Sequence, residues 1–209
     1  MFSKLQYISQ GNTAEEQLKN IQGALVAGCE WIQLRFKNCP EKKLTDLAVE
    51  VKKICAQHNA IFILNDNPEI AKKVNADGVH VGLTDMKIAE ARKILGNKII
   101  GGTANTLEDV LMRAEEKCDY IGLGPFRFTP TKEKLSPVLG LEGYQKIMRE
   151  LYERGITVPV FAIGGILAEN VPAILEAGVY GIALSGLITN HSDKTELIKQ
   201  LNKYIYEHA

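Results

Sequence analysis

Eight short apolar or β-branched runs alternate along the chain with longer segments whose apolar residues recur at helical spacing. This alternation predicts parallel strands joined by helical crossovers. Eight units with no segment left over favour a closed (β/α)₈ TIM barrel, because the alternative, a doubly wound open sheet, needs fewer strands. The predicted strands are Leu5 to Ile8, Trp31 to Arg35, Ile61 to Leu64, Gly78 to Val81, Lys98 to Gly102, Tyr120 to Leu123, Val158 to Ala162 and Gly181 to Leu184.

The segments between these strands predict an outer layer of amphipathic helices. The chain has 209 residues and no linker rich in Pro, Ser or Gly, so we expect residues 1–209 to form one barrel domain of class α/β. The predicted helices are Ala14 to Ala27, Glu41 to Gln57, Lys87 to Leu95, Leu107 to Glu116, Leu141 to Glu153, Ala168 to Glu176 and Lys194 to Tyr206, with a shorter connection from Pro68 to Val74.

The composition restricts the binding partners and the cellular compartment that we expect for this protein. Lys and Arg number 25, as do Asp and Glu, so a nucleic-acid partner held through phosphates is disfavoured. No apolar stretch reaches the roughly 20 residues of a membrane span, and Lys4 and Gln6 interrupt any apolar signal segment. The four cysteines have no C-x-x-C spacing, and we interpret them as reduced packing thiols. We therefore expect a cytoplasmic protein with small-molecule substrates and leave a homo-oligomer open.

Polar residues follow almost every predicted strand. The C-terminal ends of the strands share one rim of a TIM barrel, where active sites are built, so these residues are candidate site residues. They are Gln33, Arg35, Lys37, Asn65, Asp66, His80, Asp85, Thr103, Asn105, Thr129, Thr131, Lys132, Gly164, Gly165, Ser185 and Gly186. His80 lies within a strand, and we interpret it as hydrogen-bonded inside the barrel rather than as an acid or base.

Small residues after the last two strands indicate a phosphate pocket. Gly164-Gly165 follows strand seven and Ser185-Gly186 follows strand eight. Such loops let backbone N–H groups approach phosphate oxygens. Either pair alone would equally suit a tight turn, but together they favour phosphate. The long connection from Pro125 to Gly140 is typical of a lid or binding loop.

Three cations and two carboxylates point to a second anion and a metal. Arg35, Lys37 and Lys132 suit a multiply charged anion, and Asp66 with Asp85 suits Mg²⁺, which takes one or two carboxylates and completes its shell with water and phosphate oxygens. Taken singly, Arg35 would also suit a salt bridge beneath the rim. Asp66 would also suit the N-cap of a short helix that Pro68 opens.

Ordered motifs resemble the thiamine-phosphate synthase family from Leu5 to about Ile188. The motifs are Gln33-Leu34-Arg35-Phe36-Lys37, Asn65-Asp66, Ala76-Asp77-Gly78-Val79-His80 with Gly82 and Asp85, Ile100-Gly101-Gly102-Thr103, Asp119 to Pro125 leading to Thr129-Pro130-Thr131-Lys132, Ala162-Ile163-Gly164-Gly165-Ile166, and Leu184-Ser185. The resemblance implies a Mg²⁺-assisted transferase that joins 4-amino-2-methyl-5-hydroxymethylpyrimidine diphosphate to 4-methyl-5-(2-phosphoethyl)thiazole, or its carboxylated form. The products are thiamine phosphate and diphosphate.

The resemblance also implies a role for each matching residue. Arg35, Lys37 and Lys132 would be catalytic, and Asp66 and Asp85 would bind Mg²⁺. The pyrimidine diphosphate would be held by Gln33, Leu34, Arg35, Phe36, Lys37, Asn65, Thr103 and Lys132. The thiazole phosphate would be held by Thr129, Pro130, Thr131, Gly165, Leu184 and Ser185. The chain departs from the family pattern at Thr103, where serine is usual, at Leu83, where a polar residue is common, and at Asn67, where arginine or another polar residue is frequent.

Three other functions fit parts of this pattern. A thiazole tautomerase on the same barrel would need neither the Asp66 and Asp85 pair nor the Thr129 to Lys132 segment. A non-catalytic barrel that binds thiamine precursors would have lost charged rim residues. A sugar-phosphate isomerase or epimerase would share the Gly164-Gly165 pocket and would need acid and base groups on the central strands, one of which Asp66 could supply.

Overall fold

The computed structural model describes residues 2–128 and 137–207 as a closed barrel of eight parallel strands, each hydrogen-bonded to the next, with β8 paired to β1. The predicted TIM barrel is thus confirmed. The strands are β1 (Leu5–Ile8), β2 (Trp31–Leu34), β3 (Ile61–Asn65), β4 (Gly78–Val81), β5 (Ile99–Ala104), β6 (Tyr120–Leu123), β7 (Val160–Ile163) and β8 (Gly181–Leu184).

Helices cover the outside of this barrel. Among the described residues they are α1 (Ala14–Val26), α2 (Glu41–Gln57), α3 (Pro68–Lys73), α4 (Ile88–Leu95), α5 (Leu107–Glu115), α6 (Gly140–Glu153), α7 (Val171–Glu176), α8 (Gly186–Asn190) and α9 (Lys194–Glu207), with a 3₁₀ turn at Ala168–Asn170. None of the described helices combines the length and apolarity that a membrane span requires.

Prolines account for two differences from the predicted bounds. Strand β7 begins at Val160 rather than at Val158, because Pro159 has no N–H to give to a strand ladder. The predicted helix from Ala168 divides into the 3₁₀ turn and α7, where proline stands in the first turn and needs no hydrogen-bond partner there. Helix α8, with five residues, is too short to show a helical period and was not predicted.

The hydrophobic core forms two separate clusters because side chains alternate across each strand. The outer cluster packs strand residues such as Ile32, Leu34 and Leu64 beneath the helices. The inner cluster lies within the barrel, where Trp31 and Phe161 are fully buried. Side chains that point inward at the C-terminal ends of the strands therefore lie above this layer of buried aromatic rings.

Candidate active site

Two carboxyl groups meet at the C-terminal rim of the barrel. Asp66 directly follows β3 with a left-handed φ of 66°, and Asp85 lies in the loop after β4. Burial and a hydrogen-bonding contact with Asp85 raise the pKa of Asp66 to about 6, although Lys37 and Arg35 act in the opposite direction. Like charges this close favour a proton or a cation between them.

Backbone hydrogen bonds fix the main chain of Asp66 and the carboxylate of Asp85 at the rim. The backbone N–H of Asp66 donates to the His80 carbonyl on β4 at 2.8 Å, and the backbone N–H of Gly82 donates to Asp85 Oδ2 at 2.8 Å. Asn67, rather than Asp66, caps α3, since Asn67 Oδ1 accepts from the Ile70 N–H at 3.0 Å. The interpretation of Asp66 as an N-cap is therefore wrong, and its carboxylate belongs to the acidic pair at the rim.

The two described cations of the predicted set, Lys37 and Arg35, both act on Asp66. Lys37 Nζ lies 3.5 Å from Asp66 Oδ2, with the lysine side chain about half exposed at 51%. Arg35 contributes to the electrostatics of Asp66 and also lines a neighbouring cavity. The arginine thus connects the acidic pair to the loops after β7 and β8.

Gln33 and Asn65 project from adjacent strands below the charged groups. Gln33 Nε2 donates to Asn65 Oδ1 at 2.7 Å. Gln33 Oε1 is buried and has no hydrogen-bond partner among the described residues. A buried acceptor without a donor is costly, so this oxygen is suited to a ligand N–H group.

A cavity of about 570 Å³ opens against the loops after β7 and β8. Its lining includes Arg35, Gly165 and Ser185. Gly165 has a φ of 70°, and a Cβ there would lie 2.9 Å from Arg127 Cβ, so the loop packs closely on the one after β6. Ser185 Oγ donates to the Ile8 carbonyl at 2.7 Å, which leaves oxygen lone pairs available to a donor.

Three predicted site residues do not present their side chains to the barrel interior. Leu34 and Leu184 are buried in the outer cluster, and Phe36 packs partly against the same cluster. Leu34 and Leu184 would therefore contact a ligand in the rim through their backbone, whereas Phe36 is only partly buried. Thr103 does face inward, and its Oγ1 lies 3.0 Å from His80 Nε2. The ring of His80 is thus hydrogen-bonded inside the barrel, as expected from the sequence.

The predicted residues Thr129, Pro130, Thr131 and Lys132 lie outside the described residues. The preceding residues of the same loop, Arg127 and Phe128, line the cavity. Sequence reasoning did not select Arg127. The signal available for it was a cation two residues before Thr129 in a loop already expected to bind ligand.

Arg113 supports the rim from outside the barrel and was also missed. Its side chain is 3% exposed, with Nη2 donating to the Gly82 carbonyl at 2.9 Å and Nε donating to the Thr103 carbonyl at 3.1 Å. Nη1 pairs with Glu116 Oε2 at 2.8 Å. One side chain thus ties the Gly82 to Asp85 turn to the end of β5.

Comparisons with known proteins agree with this geometry. Residues 5–188 match the family model described as thiamine monophosphate synthase. The chain is 60% identical over 204 residues to the thiamine-phosphate synthase of Flavobacterium psychrophilum, covering 97% of this chain and 99% of that protein. It is 57% identical over 207 residues to the thiamine-phosphate synthase of Flavobacterium johnsoniae, covering 99% of this chain and 98% of the relative.

Solved structures give the same result. Thiamine phosphate pyrophosphorylase from Pyrococcus furiosus superposes with a TM-score of 0.86 at 31% identity, covering 98% of this chain and 96% of that one. A 3-hexulose-6-phosphate synthase superposes with a TM-score of 0.71 at 22% identity, which shows a shared fold alone. The resemblance carried by the ordered motifs is confirmed, and the chain belongs to the thiamine monophosphate synthase family of transferases.

Proposed function

We propose that this chain joins 4-amino-2-methyl-5-hydroxymethylpyrimidine diphosphate to a 4-methyl-5-(2-phosphoethyl)thiazole, with or without its carboxylate, and releases diphosphate. The observation that carries this proposal is the contact between the Asp66 and Asp85 carboxyl groups beside Lys37 and Arg35. A diphosphate leaving group needs concentrated positive charge, and this arrangement supplies two fixed cations and a place for a metal ion.

The donor set fits Mg²⁺. Asp66 and Asp85 offer two hard oxygen donors whose carboxyl groups are in contact, and they would be its protein ligands. Mg²⁺ is commonly bound by one or two carboxylates together with water and phosphate oxygens. The bound ion would neutralise charge on the diphosphate oxygens as the bond to carbon breaks.

The protein acts mainly by electrostatics and positioning in this reaction. The C–O bond to the pyrimidine methylene carbon breaks, and its electron pair leaves with the diphosphate. Lys37 and Arg35, together with Lys132 from the loop outside the described residues, stabilise that growing negative charge. The thiazole nitrogen then gives its lone pair to the pyrimidine carbocation, so no nucleophile from the protein is needed.

Gln33 and Asn65 orient the pyrimidine. The exocyclic amino group of the substrate donates to Gln33 Oε1, the buried acceptor that has no partner among the described residues. The bond from Gln33 Nε2 to Asn65 Oδ1 fixes the amide so that this oxygen faces the ligand. Fixing the ring in this way holds the reacting carbon in line with the thiazole nitrogen.

The cavity beside β7 and β8 holds the thiazole phosphate. Gly165, Ser185 and the backbone of Leu184 contact its phosphate group. The family resemblance adds Thr129, Pro130 and Thr131, which lie outside the described residues, to the groups that bind it. Arg35 lines this cavity and also acts on Asp66, so it faces both substrates. Two anion sites that share one arginine match a reaction between two phosphorylated substrates.

We propose a cytoplasmic enzyme with residues 1–209 as its single catalytic domain. Four unpaired cysteines, three of them buried, are compatible with a reducing compartment. The absence of nucleic-acid and membrane partners stays a prediction, and a homo-oligomer stays open.

An omission assay tests the proposed function. The purified chain is incubated with both heterocyclic substrates and Mg²⁺, and thiamine phosphate is measured by chromatography while each component is left out in turn. We expect product only in the complete mixture, with one diphosphate released per thiamine phosphate. Isomerisation of the thiazole without metal or pyrimidine would instead identify a tautomerase.

A further inference from the structure

Four polar side chains form a continuous hydrogen-bonded chain through the barrel interior. Gln6 on β1 reaches Tyr120 on β6, with 3.4 Å between Gln6 Nε2 and the phenol oxygen. That oxygen lies 3.1 Å from His80 Nδ1, and His80 Nε2 lies 3.0 Å from Thr103 Oγ1. Of these four, the family resemblance gives a role to Thr103 alone, in holding the pyrimidine diphosphate, so Gln6, Tyr120 and His80 need a separate explanation.

The donor and acceptor groups of Gln6 and Tyr120 favour one direction for each hydrogen bond in this series. Gln6 Nε2 is a donor, so the phenol oxygen accepts from it and gives its own single hydrogen to His80 Nδ1. Burial raises the pKa of Tyr120, which keeps that hydrogen on the phenol. A histidine that accepts at Nδ1 is neutral and carries its hydrogen on Nε2.

Thr103 therefore receives a hydrogen bond from His80 rather than donating one to it. Its own hydroxyl hydrogen is then directed to another acceptor. The diphosphate oxygens of the substrate are ionised and act only as acceptors. A hydroxyl that is obliged to donate suits such an anion better than one that is free to rotate.

Glycines on the neighbouring strands make room for this arrangement. A Cβ at Gly101 would lie 2.2 Å from Tyr120 Cζ and 2.6 Å from His80 Nδ1, and one at Gly122 would lie 3.1 Å from His80 Cε1. The Thr103 backbone is held independently, because its carbonyl accepts from Arg113 Nε at 3.1 Å. The four-residue chain is thus packed into one geometry.

We propose that His80 is a positioning residue that, with its tautomer fixed by Tyr120 and Gln6, makes the Thr103 hydroxyl a dedicated donor to a diphosphate oxygen. The inference rests on the proposed function, since the diphosphate is the ligand that Thr103 would contact. It adds a role for a histidine that takes no part in acid or base chemistry.

Nitrogen-15 NMR of the full chain without substrates tests the bond directions. The ring nitrogens of His80 are identified by their loss in His80→Gln, and we expect the neutral tautomer protonated at Nε2. Tyr120→Phe removes the donor to Nδ1 and should shift His80 away from this single tautomer, whereas Tyr152→Phe, a control far out on α6, should not. Protonation of His80 at Nδ1 in the wild type would overturn the inference.

Binding of inorganic diphosphate with Mg²⁺ tests the consequence without requiring turnover. We expect Thr103→Val and Tyr120→Phe each to weaken binding by about tenfold or more, as for loss of a hydrogen bond to a charged group. Thr103→Ser should retain wild-type binding. The double variant Tyr120→Phe with Thr103→Val should bind no more weakly than Thr103→Val alone, since both changes remove one bond.

The kinetic form of the same test separates positioning from general damage. In turnover, Tyr120→Phe should raise the KM for the pyrimidine diphosphate and leave the KM for the thiazole phosphate unchanged. Equal diphosphate binding by wild type and Tyr120→Phe would overturn the inference and leave the proposed function standing. Normal diphosphate binding without any thiamine phosphate synthesis would contradict the proposed function instead.

Discussion

The lower half of the barrel interior, at the N-terminal ends of the strands, and the upper half, at their C-terminal ends, are formed by the same strands. Their side chains differ in polarity, because the lower half is apolar and the upper half is polar and charged. In the lower half the Trp31 ring lies 5.0 Å from the rings of Phe2 and Phe161 and 4.9 Å from that of Tyr120. Rings at these distances fill space and exclude water. Two residues above Trp31 on the same strand is Gln33, with Arg35 just beyond it, so one inward column changes from aromatic to amide to cation.

This contrast shows how the fold separates stability from function. The lower half is packed with apolar and aromatic side chains, among which the Trp31 indole N–H has no hydrogen-bond partner within the described residues, whereas the upper half keeps a buried acceptor on Gln33 and two adjoining carboxylates that a ligand can reach. Groups left unsatisfied in this way cost stability in the free protein and are satisfied by ligand. Truncation of the large rings in the lower half should therefore act mainly on stability, and truncation of the charged side chains that face the ligand should act mainly on activity.

Trp31→Ala gives the largest expected effect. Removing a fully buried indole from the centre of the ring cluster should lower the free energy of unfolding by about 3–5 kcal/mol. Denaturant unfolding followed by circular dichroism measures the loss. Tyr152→Ala on the surface of α6 is the control and should stay within about 0.5 kcal/mol of wild type. Equal losses of unfolding free energy in Trp31→Ala and Tyr152→Ala would contradict the stabilising role of the lower half.

Lys37→Ala should act on the other half, lowering kcat by about 10²- to 10³-fold without changing the melting temperature. Lys37 also lowers the pKa of Asp66, so rates are compared over a range of pH that extends well above the wild-type value of about 6. Lys42→Ala removes an exposed lysine paired with Asp46 on α2 and should leave kcat unchanged. A kcat for Lys37→Ala within twofold of wild type would contradict its assigned role.

Arg113→Met tests the outer support of the upper half. It leaves the Thr103 and Gly82 carbonyls without their donor, so we expect a loss of about 2–4 kcal/mol in unfolding free energy. The Mg²⁺ concentration for half-maximal rate should also rise, because the turn carrying Asp85 loses its anchor. Arg154→Met breaks an exposed pair on α6 and should change neither quantity.

Asp66→Asn should have the smallest effect, and it should raise the stability of the protein rather than lower it. Because the pKa of Asp66 is raised in the folded state to about 6, the folded protein keeps a proton between about pH 4 and pH 6 that the unfolded chain has lost. This carboxyl therefore makes stability fall as pH rises through that window.

The variant lacks this titration, so at pH 7.5 without Mg²⁺ it should be more stable than wild type by about 1 kcal/mol, allowing for solvent screening. The difference should vanish near pH 4. Thermal unfolding at the two pH values measures it, and a variant less stable than wild type at pH 7.5 would argue against strain between the carboxylates.

Much of the fold could be predicted because its signals are local. Four strands have their predicted bounds, since each apolar run is bordered by polar or glycine residues. The rim was also predictable, because the topology of a parallel barrel brings strand ends together wherever they fall in sequence. This reasoning places Asp66 near Asp85 although 19 positions separate them in the chain.

The remaining features depend on distant partners. Nothing near His80 in the sequence indicates Tyr120 or Gln6, which the closed barrel brings to it from β6 and β1. Arg113 had one local signal, an arginine three residues after Val110 on the buried face of α5, but its acceptors on two other segments had none. The sequence thus predicts which charged residues lie at the rim. The residues that hold them in place, such as Arg113, are identified only in the structure.

Calorimetric titration with inorganic diphosphate, with and without Mg²⁺, tests the central claim most directly, namely that Asp66 and Asp85 with the neighbouring cations hold the leaving group. For the wild type, affinity should be at least about tenfold higher when Mg²⁺ is present, and Asp85→Asn should lose that gain, by analogy with the 10–100-fold effects of altered metal shells. Equal affinity with and without Mg²⁺ in both proteins would contradict the account.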